Sequence, residues 1–277
     1  MCISIIDYQA HEDVKRMSDQ SMLKELSRLS RTAGARADYV QGGGGNTSVK
    51  FGDGLMAIKA SGFRLDQVTE AEGFAIIELG TMRDVTAEHG YKPMRPSVEG
   101  GFHALLGKFV LHTHPVYANL ALCSLGGANR LRELMEGYSY IVVPYINPGK
   151  DLCEAIKRRL EPDTQIVFMA NHGMIATADT VDECLRIHDD ANERIAKSYG
   201  VTRGDFDEFY KVITKTLYPD QQVYLELTGA QNEIMAAVMF IQFTLMKNGD
   251  TVQAMDEKSM DFIANWESEA YRKSILR

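Results

Sequence analysis

Apolar residues recur near every 3.6 positions at Val14, Met17, Met22, Leu26 and Leu29, which predicts a helix over 11–34 that Gly34 stops. Four glycines, Gly42 to Gly45, break the pattern ahead of Asn46-Thr47-Ser48-Val49-Lys50. The short apolar runs 56–60 and 74–79 are of strand type, and Ser61-Gly62 closes the first. A short helix is expected after Pro96, with Glu99 and His103 four residues apart and so on one face. Phe109-Val110-Leu111-His112-Thr113-His114-Pro115 then reads as a strand in which residues two apart share a face. Further strands are expected at 141–143 and 165–171, with helices near 115–126 and 149–160. Thr180 with Glu183 has capping-box spacing and opens a helix to about Tyr199.

Beyond Gly200 the strand signal fades. Helices are expected over 230–247 and 255–276, the second with Ile263, Trp266 and Ala270 on an inner face and Trp266 in a core. Alternating strands and helices predict an α/β layered sheet. Residues 1–200 read as its domain and 201–277 as a helical C-terminal extension packed on it. Neither an internal repeat nor a low-complexity linker is evident.

The totals narrow the function. A formal net charge of −8 argues against a general nucleic-acid binder, but leaves room for a local cationic pocket. The longest near-apolar run, Ala236 to Met246, is too short to span a bilayer, and the N-terminus lacks a secretory pattern. Cys2, Cys123, Cys153 and Cys184 are scattered without a CxxC pair, so a reducing cytoplasm is the expected home. Cys123 and Cys184 fall in helical patterns and are expected to be buried, inert thiols.

Chemistry concentrates around His112-Thr113-His114. Two imidazoles on one face of a strand end can grip one metal ion, and burying them without a partner is costly. A third, His172, closes the apolar run 166–171, although Asn171-His172-Gly173 also reads as a turn. Glu99 is either a solvated acid near a helix start or a base beside the metal, taking a proton from carbon next to a polarised carbonyl. His103 fits packing better than a fourth ligand. The Gly42–Gly45 run is either a flexible loop or a nest of backbone N–H groups for an anion, and it matches no nucleotide-binding fingerprint. Ser61-Gly62 and Ser97 can add donors to the same anion. His11, His89 and His188 are expected to be solvated or locally bonded at the surface.

Gly45-Asn46-Thr47-Ser48, Ala60-Ser61-Gly62, Pro96-Ser97-Val98-Glu99, His112-Thr113-His114-Pro115 and Asn171-His172-Gly173, in this order, resemble the class II aldolase/adducin family. The resemblance covers roughly residues 20–200. The glycine run, Arg95-Pro96-Ser97 and Tyr218-Pro219-Asp220 look most like the aldolase half of bifunctional rhamnulose-1-phosphate aldolase/dehydrogenase proteins. It implies a three-layer α/β/α fold with a central mixed sheet. It further implies zinc (or another divalent transition metal) on His112, His114 and His172, with Glu99 as acid/base. Gly45, Asn46, Ser61, Gly62 and Ser97 would hold a substrate phosphate.

The implied reaction is cleavage of a ketose phosphate, rhamnulose or fuculose 1-phosphate-like, to dihydroxyacetone phosphate and an aldehyde through a metal-stabilised enediolate. The same scaffold also carries 4-epimerases, dehydratases and non-catalytic adducin-like binding domains. A homo-oligomer, with a tetramer favoured, is implied as well. Two departures stand out. Val98 replaces a serine that many members carry, and the gap from Glu99 to His112 is short.

Overall fold

The computed structural model describes residues 5–52, 54–224, 228–268 and 270–271. Its centre is a seven-stranded sheet of β1 (Asn46–Phe51), β2 (Leu55–Lys59), β3 (Phe74–Glu78), β4 (Phe109–Thr113), β5 (Tyr140–Val143), β6 (Ile166–Met169) and β7 (Gly173–Ala178), in the order β3-β2-β1-β4-β7-β6-β5. Neighbours are antiparallel except β5 and β6, which are parallel. The sheet is therefore mixed, as expected.

Period-two alternation sorts the strand side chains into two cores. Phe109, Leu111, Ile166, Phe168, Met174 and Ala176 point to one face. There they meet Leu23, Leu26 and Leu29 of α1 (Ile5–Gly34) and Ile187, Ala191 and Ile195 of α6 (Val181–Ser198). Val110, Val167, Met169 and Ile175 point the other way, onto Phe102 of α2 (Gly100–Leu105) and Leu152 and Ile156 of α5 (Lys150–Lys157). Helices thus cover both faces of an α/β/α sandwich. Removing this much apolar surface from water, at about 25 cal/mol per Å², is the main force holding the layers.

Several expectations need correction. Met17 points out to solvent, so the buried stripe of α1 is carried by Leu23, Leu26 and Leu29. Strands β1 and β7 and the helices α4 (Gly127–Leu134), α7 (Arg203–Ile213) and α8 (Pro219–Tyr224) are additional to those expected. Between α2 and α4 lies α3 (Val116–Leu122). The capping position at Thr180 holds, its side chain accepting from the Glu183 N–H. His188 is fully buried rather than at the surface.

After residue 178 no strand occurs among the described residues. α7, α8 (Pro219–Tyr224), α9 (Gly229–Lys247) and α10 (Glu257–Asn265) make up the C-terminal region. Phe206 of α7 and Ala237 and Phe240 of α9 bury against Val116 and Tyr117 of α3, with the rings of Phe240 and Phe206 edge-on at 5.3 Å. The other side of α9 leaves Ile234, Val238, Phe243 and Met246 exposed. The expected helix over 255–276 is interrupted: α10 ends at Asn265, residues 267, 268, 270 and 271 are helical again, and 272–276 lie outside the described residues. Ala270 is exposed rather than facing inward. No described helix is long and apolar enough to cross a membrane.

Candidate active site

Three chain segments meet at the open end of β4. His112 pairs in register with Asn46 of β1 on one side and Ile175 of β7 on the other. It shares the face of Val110, under α2, whereas Thr113 faces the α1/α6 side. His114 follows just past the strand. The β6–β7 turn delivers His172, with Asn171 before it in the left-handed region (φ 52°). Gly173 must be glycine, because a Cβ there would lie 2.2 Å from the Thr113 carbonyl oxygen. Gly45 has φ +63°, and a Cβ would come within 2.8 Å of the His112 carbonyl.

The three imidazoles converge. Their ligand nitrogens all lie within 4.8 Å of one another. The Nε2 atoms of His112 and His114 are 3.2 Å apart. Two nitrogens bound tetrahedrally to one zinc would be separated by about 3.3 Å, so the donor set fits a divalent transition ion. The Nδ1 atom of His112 donates to the Met174 carbonyl at 3.0 Å, which leaves Nε2 with its lone pair toward the cluster. Burial pushes His112 down to about 4, the neutral state a ligand needs, with Glu99 opposing the shift.

Glu99 caps the start of α2 and is buried against the same cluster. Its Oε1 is 3.4 Å from His172 Nε2 and its Oε2 is 3.5 Å from His112 Nε2. Burial pushes the carboxyl up. The imidazoles of His112, His172 and His114 pull it down by more, so it stays well below the usual carboxylate range.

A chain of hydrogen bonds fixes it from behind. Ser48 Oγ bonds His103 Nδ1 at 2.7 Å, His103 Nε2 meets Asn46 Oδ1, and Asn46 Nδ2 donates to Glu99 Oε2 at 2.5 Å. Because Asn46 must present its NH2 to a carboxylate, its oxygen accepts from His103, whose other nitrogen then accepts from Ser48. Burial takes His103 down to about 3, so it is the neutral ring this chain needs. Both its nitrogens are engaged away from the three-histidine cluster.

The pocket above the cluster is lined by Gly45, Asn46, Ser61, Gly62, Ser97, Glu99, His114 and His172, with Gly43, Lys59, Val98, Pro148 and Trp266. All five residues expected to cradle an anion are therefore on one wall system with the acid. The Ser97 hydroxyl oxygen accepts from Asn46 Nδ2 at 3.2 Å and from the Glu99 N–H at 3.3 Å; its own proton enters neither bond. Val98 lines the pocket without a hydroxyl.

Three lining residues, Lys59, Pro148 and Trp266, are not marked as site residues by the sequence pattern. Lys59 is buried, its ammonium donating to the Gly43 and Gly45 carbonyls at 3.0 and 2.9 Å. The one signal for it was a lysine ending a buried run, Met56-Ala57-Ile58-Lys59. Trp266, expected in a core, is half-buried at the pocket instead.

A family profile, Class II Aldolase and Adducin N-terminal domain, matches residues 24–197. The chain belongs to this class II aldolase/adducin family. The C-terminal helices lie beyond the matched span. The Bacillus subtilis protein "Uncharacterized oxidoreductase YuxG" is 28% identical over 189 residues, which is 58% of this chain and 27% of that protein. This chain thus spans about a quarter of that relative's length. The 3-oxo-tetronate 4-phosphate decarboxylase of Escherichia coli is 26% identical over 180 residues, 60% of this chain and 80% of that protein. Among solved structures, the N-terminal class II aldolase domain of a conserved protein from Thermoplasma acidophilum superposes with TM-score 0.55 at 24% identity. It covers 63% of this chain and 92% of that one, and it shares the class II aldolase fold.

Proposed function

We propose that this chain is a zinc-dependent class II aldolase that cleaves a ketose phosphate to dihydroxyacetone phosphate and an aldehyde. The observation carrying the reading is the convergence of His112, His114 and His172 against the buried carboxylate of Glu99, at the floor of a pocket walled by hydroxyl, amide and ammonium donors. His112, His114 and His172 would hold the cation, which supplies Lewis acidity to the substrate carbonyl.

The residues of the chain divide the remaining work. Gly45, Ser61, Gly62 and Ser97 offer N–H and O–H donors to the phosphate, and Lys59 adds a positive charge to the same wall. Asn46 lines the same wall, but its side-chain amide is directed at Glu99 and Ser97, so its main task is to orient the acid. In cleavage a proton leaves the hydroxyl on the carbon that becomes the aldehyde. The adjacent carbon–carbon bond breaks, and its electron pair stays with the three-carbon fragment. Glu99, held ionised, is the group to carry that proton back to the carbanionic carbon.

A second reading has one specific support. The Escherichia coli relative is named as a decarboxylase of a phosphorylated oxo acid. Loss of carbon dioxide leaves the same kind of carbanion beside a carbonyl, and the same acid can protonate it. Product analysis separates the two: zinc-loaded protein is given a panel of ketose 1-phosphates and a 3-oxo acid phosphate. Aldehyde release from the first set supports the aldolase. Carbon dioxide from the second alone transfers the site to decarboxylation.

Residues 201–277 act in this reading as a helical extension of the catalytic domain, and the enzyme works in the cytoplasm as a homo-oligomer. The exposed Ile234, Val238, Phe243 and Met246 of α9 support assembly, since exposed apolar side chains clustered on one helix favour burial.

A further inference from the structure

We infer that Trp266, supplied by the C-terminal region outside the family domain, is a specificity-determining residue. Its indole forms the wall against which the carbon-bearing end of the substrate, remote from the phosphate, packs. The inference rests on the aldolase reading of the same pocket.

Trp266 lines the pocket together with His114, His172 and Glu99, yet it is more than sixty residues past the end of the family match. The structure fixes it there from two sides. Upstream, Gln253 donates its N–H to the Cys123 carbonyl at 2.7 Å, and its own carbonyl accepts from Asn171 Nδ2 at 2.6 Å. Asn171 directly precedes His172. Downstream, Arg95 lies 4.7 Å over the Tyr271 ring and donates to Ser268 Oγ at 3.4 Å. Arg95 is two residues from Ser97. The segment carrying the indole is thus tied to the two loops that deliver a metal-site histidine and a phosphate-side serine. The ring lies alongside Gly149, where a Cβ would be in ordinary contact with the indole at 3.7 Å, and it packs beside the Phe262 ring at 5.7 Å between centroids.

The chemistry then assigns the ligand end. An indole offers a broad apolar face and one N–H, with no positive charge for a phosphate. The anion belongs with Lys59 and the Ser97 side. What meets Trp266 is the C–H face of the fragment released as aldehyde, so a substrate ending in methyl is favoured over one ending in hydroxymethyl. Pocket discrimination of this kind is worth about tenfold or more.

The chain has one tryptophan, so its emission reports this wall alone. The full-length protein is assayed with a 6-deoxyketohexose 1-phosphate and its 6-hydroxy counterpart. Trp266→Ala is expected to raise KM for the deoxy substrate about tenfold, with kcat within about threefold, and to erase the preference; Trp266→Phe retains both. In zinc-loaded Glu99→Gln protein, the deoxy sugar phosphate is expected to shift Trp266 emission and shield it from acrylamide, and inorganic phosphate is not.

Turnover with KM and emission both unmoved overturns the role of Trp266 and leaves the aldolase intact. No turnover with an emission response sinks the aldolase reading and keeps the wall. No turnover and no response overturns both.

Discussion

Asn46 and Glu99 are joined by a 2.5 Å hydrogen bond from side-chain amide to carboxylate, although they lie on different elements and 53 positions apart. The bond links the start of β1 to the cap of α2, and His103 and Ser48 back it from the interior. A hydrogen bond to a charged group is worth about 1.5–3 kcal/mol. Asn46→Ala is therefore expected to lower kcat/KM by about ten- to a hundredfold with metal content unchanged, read by steady-state kinetics beside elemental analysis. Wild-type rates in this variant would remove Asn46 from the catalytic arrangement.

Gly173→Ala tests the close approach of the β6–β7 turn to β4. The added Cβ would sit 2.2 Å from the Thr113 carbonyl and 3.0 Å from the His114 ring, so the turn that carries His172 must move. A loss of about 2 kcal/mol or more is expected from such a clash, together with weaker zinc retention. Thermal melts and dialysis against a chelator measure the two. An unchanged melt with full metal retention counts against this packing.

Lys59→Met removes the buried positive charge and keeps the length of the chain. Inorganic phosphate, used as a competitive inhibitor, is expected to bind about tenfold more weakly or worse, as for loss of a charge-assisted hydrogen bond. Metal content is expected to stay as in wild type. Equal phosphate inhibition in both proteins would place the anion elsewhere.

Buried neutral imidazoles make the fold acid-sensitive. Burial pushes His188 below its usual value, with Asp189 beside it opposing the shift, and burial takes His103 down to about 3. The unfolded chain takes up these protons near pH 6.5 and the folded chain does not. Each ring's contribution is thus complete above about pH 6.5 and is lost as pH falls toward the folded-state value. Unfolding free energy is expected to drop by up to about 1.4 kcal/mol per pH unit for each ring. His188→Gln can keep a hydrogen-bond partner for Thr113 Oγ1, which lies 2.6 Å from His188 Nε2, and removes one titrating group. Urea melts at pH 5, 6 and 7 should show a slope smaller by about one proton, and an equal slope contradicts the assignment.

Local pattern carried much of the fold. The run into His112 and the cap at Thr180 were readable because neighbours in sequence create those signals, and the histidine pair followed from a strand's period of two. What stayed hidden depends on distant partners. β1 gives no strand signal because Thr47, Ser48 and Lys50 are polar, yet each is satisfied internally: Thr47 with Ser30, Ser48 with His103, and Lys50 with the Ala104 and Leu106 carbonyls. His188 passes for a surface residue until Thr113, 75 positions away, takes its Nε2. Trp266 has an inner-face spacing, but its ring lies beside Phe262 and Gly149 and lines the pocket, a position set by the distant segment around Pro148.

Elemental analysis paired with turnover by Glu99→Gln tests the central claim most directly. The account predicts about one zinc per chain in wild type and in Glu99→Gln, lost when His172 becomes alanine. It also predicts a fall in aldehyde release of about 10² to 10⁴-fold in Glu99→Gln, the usual scale of a general acid–base residue. Zinc-free wild-type protein that still cleaves its substrate, or Glu99→Gln protein working at the full rate, would contradict it.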